Sequence, residues 1–215
     1  IGLLHVEQAD LTNACENLRR SLELDPSWLT HYQLALCQAA AGDTSEYRAT
    51  CQAMADAHAD SSKSVELNFT AWTATLAPDA LDDFGPAIEA AEAAVKTNPD
   101  DEQFQRTLGA VLFRAGHADR AIEQLSRLDE PDEKQTRSSP AYGWYFLAMA
   151  HHVAGNQDRA GEYLARANLC ATAELSDEDK RPLWNRRLTL PLLQREATDL
   201  ISASPPVERD KSSNE

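Results

Sequence analysis

Two adjacent histidines and two adjacent aspartates are the residues of this sequence that first suggest chemistry. His151 and His152 could offer imidazole nitrogens to a metal ion, and Asp82 and Asp83 could act as an acid–base pair. Adjacent residues of a helix point about 100° apart, so the two imidazoles cannot face one ligand site. Aspartates in a loop more often form turns and helix N-caps. We therefore expect His151 to pack between helices and neither pair to form a metal or catalytic site.

The four cysteines are the next candidates for chemistry. Cys15, Cys37, Cys51 and Cys170 form no CxxC pair and have no histidine at a zinc-ligand spacing beside them. Each lies in a stretch with a helical pattern, where a cysteine usually serves as a small buried side chain. The sequence therefore predicts free thiols in a reducing compartment, which is the cytoplasm.

Sequence motifs of common enzymes are missing from the chain. It contains no GxSxG, HExxH, P-loop or EF-hand spacing. The expectation is a protein without catalytic activity, catalytic residues, cofactor or metal.

Composition favours helices throughout. The chain has 215 residues, of which 35 are Ala, with only 8 Gly and 10 Pro. Alanine is the strongest helix former, and strand-forming residues are sparse. The net charge of -15 repels a phosphate backbone and argues against a nucleic-acid partner. The sequence contains no run of 18 apolar residues, so it predicts no membrane span.

Internal repetition organises these helices. Residues 108–125, LGAVLFRAGHADRAIEQL, align with residues 147–164, LAMAHHVAGNQDRAGEYL, at an offset of 39 residues. A third copy at 34–51 keeps the Ala-Gly pair but has Tyr47 in place of the Ala found in the other two. Each copy is typical of a helical hairpin, in which a helix ends at a Gly in the left-handed conformation and a small residue of the second helix allows close packing.

These hairpins resemble the tetratricopeptide repeat family. From Ala87 to Ala121 is 34 residues, the length of that repeat, and Leu108 and Gly109 match the Leu-Gly pair of its helix A. Ala121 matches the small residue of helix B, and Pro26 and Pro99 follow predicted B helices. The resemblance implies an all-α, right-handed superhelical solenoid that binds protein partners on its concave side. Tyr47 and extra residues around PDALDDFG are departures that put two hairpin angles in question.

The repeat pattern divides the chain into about five units. They cover about residues 1–27, 28–61, 62–100, 101–134 and 140–173, and so make an array over residues 1–173. Residues 174–203 then form a linker and a capping helix, whose Leu193, Ala197 and Leu200 belong to an apolar stripe, and residues 204–215 form a disordered tail. The first residue is not Met, and IGLLHVEQAD has the pattern of the middle of a helix. We therefore expect a fragment of a longer protein.

Three phrases also resemble the repeat regions attached to bacterial serine/threonine protein kinases. They are AWTATLAPDALDD, GWYFLAMAHHVAGNQDRAGEYL and LPLLQREATDLI. The kinase itself is missing from this sequence, which has no GxGxxG, HRD or DFG motif. The resemblance implies the non-catalytic part of a larger bacterial signalling protein.

The family pattern also implies which side chains line the concave groove, because positions 2, 5, 9, 12 and 13 of each helix A face it. The alternative is that several of these residues only pack against the neighbouring unit. The predicted groove residues are Tyr32, Leu36, Asn68, Trp72, Gln103, Arg106, Phe113, Arg114, Tyr142, Tyr145, Met149 and His152.

Aromatic, Met and Arg side chains are typical of a surface that anchors a peptide. Arg106 and Arg114 lie eight residues apart on one helix, a little over two turns, and are expected to form a short basic strip. The predicted function is a protein-interaction scaffold whose groove binds a segment with an apolar anchor and one or two carboxylates. The alternative is a regulatory domain that packs on its own catalytic domain or self-associates.

Overall fold

The computed structural model of the chain describes residues 10–58, 60–130, 138–177 and 182–203. Within these ranges all regular structure is helical, which confirms the predicted all-α class. None of the described helices is long and apolar enough to cross a membrane. The helices are α1 (Leu11–Leu24), α2 (Trp28–Ala41), α3 (Thr44–His58), α4 (Ser64–Thr73), α5 (Gly85–Thr97), α6 (Glu102–Arg114), α7 (Ala118–Ser126), α8 (Pro140–Val153), α9 (Gln157–Ser176) and α10 (Trp184–Ala203).

Eight of the helices form four consecutive hairpins, each with a helix A and a helix B. The pairs are α2 with α3, α4 with α5, α6 with α7, and α8 with α9, and α1 packs on α2 in the range predicted for the second helix of unit one. The A helices α2, α4, α6 and α8 also pack on one another in that order, as in a solenoid. The start of unit one at residues 1–9 and the tail at 204–215 lie outside the described residues.

The hairpin turns have the conformation that the sequence predicts. Gly42, Gly116 and Gly155 have φ angles of 78°, 80° and 80°, in the left-handed region that favours glycine. In the first of these turns the N–H of Asp43 donates to the carbonyl of Gln38 at 2.9 Å, which satisfies a carbonyl at the end of α2. The repeated Ala-Gly pair therefore marks the end of a helix A.

Small residues allow the two helices of a hairpin to approach closely. Ala121 and Ala160 are completely buried. A Cβ atom added at Gly109 would lie 2.4 Å from Cγ of Leu125, so α6 and α7 could not pack in this way with a larger residue there.

Tyr47 replaces the small residue in the second unit without breaking its hairpin. The completely buried phenol donates a hydrogen bond to the carbonyl of Thr73 at 2.8 Å and accepts one from the N–H of Ala77 at 3.2 Å. Thr73 ends α4, and Ala77 lies in the longer connection that follows it. The two departures from the repeat pattern therefore fit each other, because the long connection of unit three packs over the phenol of unit two.

The last described helix, α10, does more than cover the end of the array. α10 packs on α8 and α9, as a cap on the fifth unit would, and it also packs on α2 of the second unit. Near its start the ring centroids of Trp184 and Tyr32 are 6.2 Å apart, and further along Glu196 pairs with Arg114 at the end of α6. Since α2 begins where α10 begins, α10 runs parallel to the A helices along their concave side.

Candidate functional site

The concave side of the array is a packed interior and not an open groove. Nine of the twelve predicted groove residues are buried, and Gln103, Phe113 and Arg114 are partly buried. The cover is α10, whose Leu190, Leu193 and Ala197 are almost completely inaccessible to solvent.

Aromatic rings connect the A helices across this interior. The ring of Trp72 on α4 lies 5.4 Å from that of Tyr142 and 6.4 Å from that of Phe146, both on α8. Phe113 on α6 contacts the same Phe146 at 5.9 Å. Helices α4, α6 and α8 thus share one aromatic cluster, with centroid distances typical of favourable ring pairs.

Arg114 joins α6 to α10. Its guanidinium pairs with the carboxylate of Glu196 through two hydrogen bonds, one of which, from Nη2 to Oε2, is 2.6 Å long. Its Nε and Nη2 also donate to the carbonyl of Thr75 at 3.0 and 2.8 Å. The cation lies 5.3 Å from the ring centroid of Phe146. Arg114 is therefore occupied inside the protein, in the part of the interior that we call the closed end (Thr75, Arg114, Leu193, Glu196 and Ala197).

Arg106 has different partners from Arg114, so the two side chains do not form one basic strip. Its guanidinium donates to Ser138, and its Nη2 lies 3.4 Å from Oε2 of Glu102. Burial lowers the pKa of Arg106, while the neighbouring carboxylate of Glu102 opposes that shift. A Cβ atom at Gly143 would lie only 3.3 Å from its Nε, so a glycine in α8 leaves room for the arginine side chain.

Four other predicted groove residues lie inside the fold. The Tyr145 hydroxyl donates to Oδ1 of Asn168 on α9 at 3.0 Å, and burial raises the pKa of Tyr145. Leu36 and Met149 are completely buried, and Nδ1 of His152 lies 2.8 Å from Oε1 of Gln157. The contacts of Tyr145 and His152 are with α9, the second helix of their own unit five.

Asn68 is buried without a hydrogen-bond partner for either amide atom. Gln38, which was not predicted to face the groove, is also buried, and neither of its amide atoms has a hydrogen-bond partner. A buried amide that is not hydrogen-bonded reduces the stability of the fold.

One cavity on the concave side lies near the first two turns of α2, α6, α8 and α10, and we call it the mouth pocket. Its volume is about 120 Å³. Five predicted groove residues line it, and α10 with the residue before it closes one side. The described lining residues are Tyr32, Phe69, Trp72, Gln103, Arg106, Thr107, Ser138, Tyr142, Leu183, Asn185 and Arg186.

The phenols of the mouth pocket are shielded from water. Burial raises the pKa of Tyr32 to about 12, and burial also raises the pKa of Tyr142. The Tyr32 ring packs 5.1 Å from that of Phe69. The pocket therefore has aromatic walls, and the polar groups at its edge include the amide of Asn185, 3.4 Å from the Tyr32 hydroxyl.

Sequence reasoning missed Phe69, Phe146, Leu183, Arg186 and Glu196. Phe146 follows Tyr142 by four residues and so shares its helical face, which is a signal that could have found it. Leu183, Arg186 and Glu196 had no such signal, because nothing in the sequence places α10 against units two and four.

The histidines, aspartates and cysteines that first suggested chemistry make contacts that hold the fold together or are free thiols, buried or partly buried. His151 stacks on Tyr163 with ring centroids 5.4 Å apart, as expected for a residue between helices. Asp83 accepts a hydrogen bond from the N–H of Gly85 at 2.8 Å at the start of α5, and Asp82 pairs with Arg48 at 2.7 Å. All four cysteines are free, and burial raises the pKa of each. In the part of the chain that the structure describes, no three His, Cys, Asp or Glu residues form a group that could hold a metal ion.

Family models and one solved structure with a TM-score above 0.5 agree with this architecture. Models of the tetratricopeptide repeat match residues 1–27, 30–61 and 79–136, together more than half of the chain. The crystal structure of TTC0263, a thermophilic tetratricopeptide repeat protein of Thermus thermophilus, is 17% identical, with a TM-score of 0.54 over 92% of this chain and 95% of that one. A repeat protein from Parabacteroides merdae is 15% identical, with a TM-score of 0.45 over 93% and 87% of the two chains. A comparison with curated proteins gave no match.

Proposed function

The chain belongs to the tetratricopeptide repeat family, and we propose that it is a protein-interaction scaffold whose concave surface receives one amphipathic helix. Repeats of this family generally mediate protein–protein interaction. The observation that carries the proposal is that α10 occupies this surface. Its apolar face is buried there, and the carboxylate of Glu196 pairs with Arg114. An apolar anchor with a carboxylate is also the partner chemistry that the sequence predicts.

The same observation supports the regulatory alternative. α10 is connected to α9 by the short segment 177–183, so its local concentration at the concave surface is far higher than that of a free partner. A partner helix of similar chemistry must therefore compete with α10. In this proposal the chain is a receptor for a helix, and its own helix α10 controls access to the receptor surface.

We also propose that the chain belongs to a larger bacterial signalling protein in the cytoplasm. The kinase-like phrases of the sequence support a place in a larger bacterial signalling protein, and four free thiols suit the cytoplasm. The proposal assigns no reaction to the chain, and its partner is a protein segment.

An exchange experiment tests the helix-receptor proposal. A protease site replaces residues 178–181 in the full chain, and after cleavage a labelled synthetic peptide of residues 182–203 is added in excess. We expect the labelled peptide to replace α10 and bind stoichiometrically, as measured by fluorescence anisotropy. Peptides with Leu193→Asp or Glu196→Gln should bind more weakly, because the first loses the apolar anchor and the second loses the charge that pairs with Arg114.

The matched control is Asp199→Asn, which also removes one negative charge but changes an exposed residue of α10. Its affinity should equal that of the parent peptide. Equal binding of the parent and Leu193→Asp peptides, or no binding of either, would show that the concave surface does not select a helix of this kind.

A further inference from the structure

The mouth pocket differs from the closed end in its position and its chemistry. Residues from the first two turns of α2, α6, α8 and α10 line it, together with Phe69 and Trp72 from the second half of α4. Helices α6, α8 and α10 contribute lining residues from their first turns. The partial positive charge at the N-terminal ends of these three helices therefore lies close to the pocket.

Two arginines line the pocket, and no carboxylate is among its described lining residues. This is unusual in a chain with a net charge of -15. The partners Glu102 and Glu174 hold Arg106 and Arg186 at 3.4 and 2.9 Å but do not themselves line the cavity. The cationic groups therefore face the cavity, and the acidic groups that hold them lie behind.

Arg106 is the strongest single indication of a ligand. Its side chain is only 4% exposed, and its two hydrogen bonds, to Ser138 and Glu102, use two of the five N–H groups of a guanidinium. A nearly buried cation that lines a cavity can donate to an acceptor that enters the cavity. A carboxylate oxygen supplies both the acceptor and the opposite charge.

The walls of the pocket add a requirement for an apolar group. Tyr32, Phe69 and Trp72 form one side, and Leu183 at the edge is 64% exposed. A ligand that pairs with Arg106 and covers Leu183 must carry an apolar side chain beside its carboxylate. A protein segment with an acidic residue next to an aromatic or aliphatic one has this chemistry.

We propose that the mouth pocket binds an acidic side chain of a partner protein, together with the apolar residue next to it. The site is built jointly by the repeats and by Leu183, Asn185 and Arg186, so it exists only while α10 occupies the concave surface. It is thus a second interaction site, which lies beside the surface that α10 covers and shares Tyr32 with it.

Peptide titration followed by NMR of the tryptophan indole N–H groups tests this proposal. The probes are acetyl-Ser-Glu-Phe-Ser-amide and its counterpart with Gln in place of Glu, added to the full chain. Trp72 lines the pocket and Trp184 contacts Tyr32, whereas Trp144 packs under Arg166 at 4.1 Å and does not line the pocket. We expect the Glu peptide to shift the Trp72 and Trp184 signals, to leave Trp144 unchanged, and to bind at least about ten-fold more tightly than the Gln peptide.

Matched variants locate the site. Leu183→Glu adds a carboxylate at the pocket edge and should weaken binding of the Glu peptide about ten-fold or more. Leu169→Glu makes the same change at a residue that is 75% exposed and does not line the pocket, and should leave binding unchanged. Arg106→Gln should remove the preference for Glu over Gln.

Equal binding of the two peptides, no shift at Trp72 and Trp184, or equal effects of the two Leu→Glu variants would each overturn the proposal. The site rests on the placement of α10 in the proposed function, but its failure is distinguishable from a failure of the exchange experiment, because that experiment measures only how the concave surface binds α10.

Discussion

Arg106 and Arg114 lie on one helix, eight residues apart, and the structure gives them opposite roles. At the closed end Arg114 has a carboxylate on α10, a backbone carbonyl and an aromatic ring as partners. At the mouth pocket Arg106 has one hydroxyl and one carboxylate at 3.4 Å, and it faces a cavity. The comparison shows that residue type and helical face identify an arginine that can bind a carboxylate. What covers that face decides whether the carboxylate belongs to the same chain.

Loss of the apolar anchor of α10 should have the largest effect on this comparison. Leu193→Ala removes a completely buried side chain and should lower the free energy of unfolding by about 2–5 kcal/mol. Chemical denaturation monitored by circular dichroism measures the change. Leu24→Ala, at an exposed residue of α1, is the control and should cost less than about 0.5 kcal/mol. Equal costs would mean that α10 contributes no packing to the fold.

The two arginines should also separate in stability. Arg114→Gln leaves Glu196 and the Thr75 carbonyl without their main partner, and should cost about 2–3 kcal/mol. Arg106→Gln should cost about 1 kcal/mol, since it removes one hydroxyl contact and one long ion pair. Chemical denaturation monitored by circular dichroism measures both changes in the free energy of unfolding. A cost for Arg106→Gln as large as that for Arg114→Gln would remove the distinction between the two sites.

The titration of Tyr32 tests how well the mouth pocket excludes water. Burial raises the pKa of this phenol to about 12, so its ring signals should change about two pH units above those of an exposed tyrosine. NMR of ring-labelled tyrosine follows this change.

The sign of the linked stability follows from the raised pKa of Tyr32. Below pH 10 both the folded and the unfolded states keep the proton, and above it the unfolded state loses the proton first. This contribution to stability is therefore lost as the pH rises from 10 toward 12. A Tyr32 that titrates near pH 10 in the folded chain would show a wet, open pocket.

Side chains at the edge of the mouth pocket should have the smallest effect on stability. Asn185→Ala removes a hydrogen bond of 3.4 Å to the Tyr32 hydroxyl and should change the free energy of unfolding by less than about 0.5 kcal/mol. Together with Leu193→Ala, this variant separates residues that hold α10 from residues available to a partner. An effect above about 1.5 kcal/mol would assign Asn185 a structural role instead.

The fold could be predicted from the sequence because its signals are local. Left-handed glycines such as Gly116 and small crossing residues such as Ala121 recur at fixed spacing, and the structure places both as the pattern requires. The path of α10 could not be predicted in this way. An apolar stripe such as that of Leu193 and Ala197 fits the end of a solenoid and its concave side equally well.

The candidate site was predicted only in part for the same reason. Arg114 and Glu196 are 82 residues apart in sequence, and no repeat relates them. Tyr145 occupies a helical face that the family pattern assigns to the groove, yet its hydroxyl donates to Asn168 inside the hairpin. Periodicity gives the face of a helix, whereas the long-range partner of a side chain depends on how the rest of the chain packs.

The central claim is that α10 lies along the concave side and not only on the end of the array. Nuclear Overhauser contacts between the rings of Trp184 and Tyr32 test it most directly, because these residues belong to α10 and to the second unit, 152 positions apart. The structure, with ring centroids 6.2 Å apart, predicts cross-peaks between the two rings in the full chain. Cross-peaks from α10 to α9 alone, with none from Trp184 to Tyr32, would contradict the claim and restore a simple terminal cap.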